Sequence, residues 1–152
     1  MQMPVQITVE ADIGYRSWRV EADGSLHAVF QQYEWPARQP AEAQSSDDGL
    51  GLHAWYRPEE AWQAFGDACD EGPHLYLVAG SVALFGDVSY DDDSDQYRAT
   101  RAYPVELWSA YDPETNQRAA LAAARYGIEL RAKPLLLFQM DDARRDRDRE
   151  VA

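Results

Sequence analysis

Five aspartates, Asp87, Asp91, Asp92, Asp93 and Asp95, fall within nine positions of the stretch GDVSYDDDSDQYR. Carboxylates packed that densely either hold a cation or present negative charge to something positive. Spacing tests the first use. Asp91, Asp93 and Asp95 fit the first three ligand positions of a calcium loop, but its sixth position, which needs Gly for a sharp turn, is Gln96, and its twelfth, which needs Glu, is Ala102. No metal and no cofactor are expected. The second use is recognition. Alternate side chains of a strand project ~6.6 Å apart, of the same order as successive phosphates along a nucleic acid. A hairpin carrying the five aspartates, with Tyr90 and Tyr97 beside them, would present a phosphate-like row to a basic cleft, charge speeding encounter and aromatic rings supplying affinity.

Other residues point to a pocket. Arg16, Arg98 and Arg101 are cations set among aromatics in YRSWR and YRATRAYP, suited to gripping an anion or to stacking on rings. A small-ligand domain would use Arg16, His53 and Tyr56. His27, His53 and His74 show no metal-ligand spacing, and Cys69 lies on an apolar helical face, more in keeping with a core residue than a nucleophile. Gly49 to Ala54 (GLGLHA) fits G-x-G-x-x-A, but that fingerprint must follow a strand and open a helix, whereas a polar loop precedes it and a strand-like run follows. No catalytic signature emerges.

Charge bounds the partners. Twenty-seven acidic residues against 14 basic give −13, and −12 remains without the stretch from Asp141 onward. The field belongs to the body of the chain; it repels nucleic acid and anionic membrane and attracts cationic surfaces. Direct nucleic-acid or membrane binding is therefore not expected. The expected partner is the basic surface of a nucleic-acid-binding protein, blocked by a non-catalytic inhibitor of anti-CRISPR, antirestriction or toxin-immunity type. One cysteine forbids an internal disulfide, the N-terminus lacks a basic and then apolar leader pattern, and PLLLFQM is too short to span a bilayer, so a cytoplasmic location is expected.

The positioning elements are read from periodicity. VQITVEA and YRSWRVEADGSLHAVF read as strands, with Asp23-Gly24 turning a hairpin. Gln31 to Gly49 reads as a long surface loop with Trp35 pinned to the body. GLHAWY reads as a strand, and Pro58 opens a helix whose length Gly66, and later DEGP, limit. HLYLVAGSVALFGDVSY is the strongest strand signal, broken or bent at Gly80, and QYRATRAYP returns beside it, which places the aspartates at a hairpin connection. Asp112 caps a helix opened by Pro113 and closed by Gly127; IELRA and PLLLF add strands. The sum is an α+β domain over residues 1–140, an antiparallel sheet with two helices packed on it, followed by a charged, disordered tail at 141–152.

The ordered series GYRSWRV, EWPARQPAEA, GLGLHAWYRPEEA, VAGSVALFGDV and YRATRAYP resembles a family of uncharacterised bacterial and phage proteins, patterned G-x-R-A-W, W-P, C-x-C-G-I-Y-A, V-x-G-x-V-x-L-W-G-x-V and Y-R-A-x-x-A-Y-P. The likeness spans Gly14 to Trp108 and implies no activity. Where that family places cysteines, this chain reads QSSDDGLGLHA, so the metal-ligand role those thiols suggest does not carry over. The succession of strand, G-L-H-A, helix and long strand is also similar to ADP-ribosyltransferase layouts, which implies a nucleotide-binding alternative without placing its catalytic residues.

Overall fold

A computed structural model describes residues 10–29, 31–43, 51–71, 75–110, 112–134 and 137. Alternation builds the first strand, β1 (Asp12–Val20), whose Gly14, Trp18 and Val20 are buried. The Asp23-Gly24 turn then forms as its chemistry demands. Gly24 takes φ 84°, and the Asp23 carboxylate accepts from the Ser25 N–H at 2.9 Å. The chain returns as β2 (Leu26–His27), antiparallel to β1. The segment expected to be loop is not wholly loop. It supplies β3 (Glu34–Trp35), paired with β2, and β4 (Ala41–Glu42), because Trp35 and Ala41 are drawn into the core at 1% exposure each.

Next come β5 (Leu52–Trp55) and α1 (Pro58–Glu71). The helix runs through Gly66 rather than stopping there; Ala61 and Ala68 are buried, while Trp62 and Phe65 pack beside Ala79, Trp108 and Leu137. One glycine costs about 1 kcal/mol in a helix, less than this packing returns. The long strand β6 (Leu77–Asp91) stays continuous past Gly80 and hairpins into β7 (Gln96–Trp108), with irregularities at Ser81/Val82 and Phe85/Val88. Helix α2 (Pro113–Tyr126) starts as its sequence reads. The Asp112 carboxylate accepts from the Thr115 N–H at 2.9 Å, Pro113 opens the first turn, and Gly127 closes the helix at φ 69°. The strand β8 (Glu129–Arg131) pairs with β7 in parallel.

The pairings close on themselves. β1 pairs with β5 and β6, and β7 pairs with the same two, so four antiparallel strands form a ring. β2 and β3 extend it from β1, while β4 and β8 add to β7. Together with two helices this is an α+β fold with a predominantly antiparallel sheet. Ala119, Ala122 and Tyr126 of α2 pack into the main core with Trp18, Val20, Leu26 and Trp35. Among the described residues no helix is long and apolar enough to cross a membrane. The expected strand at VQITVEA falls mostly outside the described residues, as do PLLLF apart from Pro134 and buried Leu137 and the stretch 141–152.

Candidate functional site

Arg16 sits where the strand pattern calls for an apolar residue. It shares a face of β1 with Gly14, Trp18 and Val20, all of which are buried. Backbone pairing between β1 and β5 is confined to Tyr15 opposite Trp55, and beyond it the two strands part. Arg16 bridges the gap: Nη1 donates to the His53 carbonyl at 3.1 Å and Nε to the Ser17 carbonyl at 3.3 Å. Its guanidinium lies 4.7 Å from the Trp35 ring centre and 5.5 Å from that of Trp18. The two rings meet edge to face at 5.6 Å. Aromatic faces are one of the few environments that compensate a buried cation without a counter-charge. Among the described residues no carboxylate comes within ion-pair distance of Arg16, although Arg19, Arg57, Arg101, Arg118, Arg125 and Arg131 each have one. Burial pushes the Arg16 pKa down to about 10, so it stays charged at neutral pH.

A cavity of about 340 Å³ opens at this gap. Arg16, Trp35, Leu52, His53, Trp55 and Gln96 line it, with Ala64 and Ala68 of α1 on the opposite wall. Small residues on the helix leave the space that larger ones would fill. Burial holds His53 below its ordinary pKa, and the nearby charges of Arg98 and Arg16 act the same way, against an opposing hydrogen bond from Gln96. The ring is therefore neutral at pH 7. With Gln96 Oε1 3.4 Å from Nδ1 as its acceptor, Nδ1 carries the proton and Nε2 keeps its lone pair. Trp35 is held from behind. The Tyr126 hydroxyl donates to the Trp35 carbonyl and accepts from the Leu26 N–H at 2.9 Å.

The aspartates lie elsewhere, at the tip of the β6–β7 hairpin. Asp91 folds the chain back on itself: its carboxylate accepts from the Asp93 N–H and from the Ser94 hydroxyl, both at 3.1 Å. The carboxylates of Asp91, Asp92 and Asp93 consequently converge within 4.8 Å instead of forming an evenly spaced row. Calcium-loop geometry is absent here, since Gln96 and Ala102 are ordinary residues of β7. Asp95, at φ 56°, accepts from the Tyr90 hydroxyl and lies 3.6 Å from Arg57, so its charge is partly met from within. Asp87 stands apart at the strand irregularity, its N–H donating to Thr100 Oγ1 at 2.9 Å.

Of the expected pocket residues, Arg16 and His53 come together and Tyr56 does not. Tyr56 joins Tyr90 and Tyr97 in a ring cluster with centres 5.3 to 5.7 Å apart, beside the acidic tip. Arg101 pairs with Glu42 at 3.6 Å. GLGLHA leads into β5, so it forms no cradle at a helix start. Sequence reasoning missed Trp35, Trp55, Gln96 and the α1 alanines as cavity walls. The one available signal was Arg16 itself, a cation in the inward phase of an alternating strand. No family model matches this chain, and no curated protein or solved structure matches it either.

Proposed function

We propose that this domain binds a small anionic ligand in the cavity between β1, β5 and α1, with Arg16 as the group that receives the negative charge. The observation that carries the reading is a partly buried arginine on a cavity wall that meets no carboxylate among the described residues, in a chain where acids outnumber bases 27 to 14. Two indole faces and two carbonyls compensate this cation in part, whereas among the described residues six other arginines each meet a carboxylate, which leaves Arg16 suited to receive one from a ligand. A neutral His53 beside it adds one polar contact without adding charge. The test follows the Arg16 Nε–H and His53 ring signals by NMR while acetate, nitrate or inorganic phosphate is titrated in. Saturable shifts in both signals with at least one anion support the reading. If no anion moves them up to tens of millimolar, it fails.

A second reading, that the acidic hairpin docks on the basic surface of a nucleic-acid-binding protein, is favoured by one observation. Three carboxylates converge at the tip of a regular hairpin, where like charge is costly unless something positive uses it. Replacing Asp91, Asp92 and Asp93 together with Asn should slow capture of a partner from lysate at low salt. Unchanged capture would remove the tip from any such mechanism.

A further inference from the structure

We infer that the ligand of the Arg16 cavity is a compact monoanion, a single carboxylate on a flat and largely apolar body, and that nucleotides and other polyphosphates are excluded. The inference rests on the anion-site reading and narrows it. Charge comes first. Among the described residues Arg16 is the one cationic residue on the cavity wall, two of its donors are already given to the carbonyls of His53 and Ser17, and His53 supplies no second charge. A lone guanidinium with its remaining donors free suits one carboxylate, whereas phosphate sites gather several cations or a run of backbone N–H groups. GLGLHA continues as strand and gives no such run. Net charge works in the same direction. At −13 the chain repels an incoming anion, and the repulsion scales with ligand charge, so a dianion or trianion meets two or three times the opposition.

Size and wall chemistry set the rest. About 340 Å³ is at the small end of the range for ligand pockets. A benzoate-sized molecule fits within it, whereas a nucleoside diphosphate would extend beyond it. Much of the remaining wall is hydrocarbon and aromatic, from Trp35 and Trp55, Leu52, Val29 and the α1 alanines Ala64 and Ala68, with Ser17 and Gln31 adding polar atoms. A flat apolar body would displace water from those faces while its carboxylate met Arg16 and its edge reached His53 or Gln96.

Isothermal titration of the full chain tests this with benzoate, benzamide, inorganic phosphate and ADP, alongside Arg16→Met and Ala64→Leu. Benzoate should bind saturably in the micromolar to millimolar range expected of so small a ligand, and benzamide at least about tenfold more weakly, the worth of one charge-assisted contact. Phosphate and ADP should give no saturable heat. Ala64→Leu fills the cavity from the helix side without touching Arg16 and should abolish binding, as should Arg16→Met if that variant folds by circular dichroism. Tighter binding of phosphate or ADP than benzoate, lost in Ala64→Leu, would overturn the monoanion inference and leave the anion site standing. Equal binding of benzamide and benzoate would overturn both, and so would benzoate binding that Ala64→Leu leaves unchanged.

Discussion

Tyr126→Phe removes a single oxygen from the point where α2 holds the cavity wall. That hydroxyl accepts from the Leu26 N–H and donates to the carbonyl of Trp35, the residue opposite Leu26 in the β2–β3 register. It therefore ties together two backbone groups that face each other in the β2–β3 ladder. Tyr126, Leu26 and Trp35 are all buried to 1% exposure or less, so neither backbone group can turn to water. Leaving a buried donor or acceptor unpaired costs about 1–3 kcal/mol, and the two together cost about 2–4 kcal/mol after modest relaxation. For a domain of this size, each kcal/mol moves Tm by about 2–4 °C, so a fall of roughly 5–15 °C is expected. Urea titration should show a lower midpoint at unchanged slope, since the exposed surface on unfolding is the same. The tyrosine also reports through pH. Burial pushes its pKa up to about 12 from 10, so its contribution is complete below pH 10 and is lost as pH rises through 12. The variant should lose stability less steeply over that window. A loss below about 0.5 kcal/mol would mean that β2 and β3 close and pair without the hydroxyl, and the bridging account would be wrong.

Two further substitutions probe the ring of strands and the hairpin tip. A Cβ on Gly80 would lie 2.0 Å from the Glu106 carbonyl oxygen of the paired strand, so Gly80→Ala should destabilise by more than about 3 kcal/mol or prevent folding, read by urea midpoint and soluble yield; a near-neutral result would mean that β6 and β7 do not approach so closely. Burial first, then the hydrogen bond and charge of Asp95, push Glu60 up to about 7, while Glu60 and Tyr90 hold Asp95 below its usual range and Arg57 sits beside both. The Glu60 pKa exceeds its unfolded value of 4.5, so its favourable contribution is full below pH 4.5 and disappears as pH rises through about 7. Glu60→Gln should flatten the decline in Tm between pH 5 and pH 8, and a decline parallel to that of the unaltered protein would show that the shared proton is not there.

Local chemistry was legible in the sequence and long-range register was not. The Asp23-Gly24 turn, the Asp112-Pro113 start and Gly127 end of α2, and the β6–β7 hairpin are dictated by residues adjacent in the chain, and each forms as read. The closing of the ring is different. It depends on β5 meeting both β1 and β7, at Tyr15 opposite Trp55 and at Leu52 to Trp55 opposite Ala99 to Gln96, and nothing local encodes those partners. For the same reason the cavity was half visible. Arg16 and His53 could be named from their types, while Gln96 and Ala64 reach the same space only through strand pairing and helix packing. Tyr56 was misplaced because it follows β5 directly, where the chain turns toward the hairpin tip. The aspartates failed to line up as a row because Asp91 satisfied its own turn first, a local hydrogen-bond preference overriding strand alternation.

Salt separates the two functional readings, because they make opposite demands on one field. A protein carrying −13 attracts a basic partner at long range, and raising ionic strength shortens that reach from about 10 Å at 0.1 M to about 3 Å at 1 M. Docking through Asp91, Asp92 and Asp93 must therefore slow as salt increases. The Arg16 cavity works against the same field: an anion approaching it is repelled by the body of the protein and attracted only at close range. Screening removes the long-range repulsion and leaves the buried contact almost untouched, since charges out of water and in direct contact are screened least. Binding of a monoanion should then hold or tighten as a salt with a non-competing anion is added. On the anion-site reading the negative field is part of the selectivity of the cavity: the penalty grows with ligand charge, and one guanidinium would offset it more readily for a single carboxylate than for a polyphosphate.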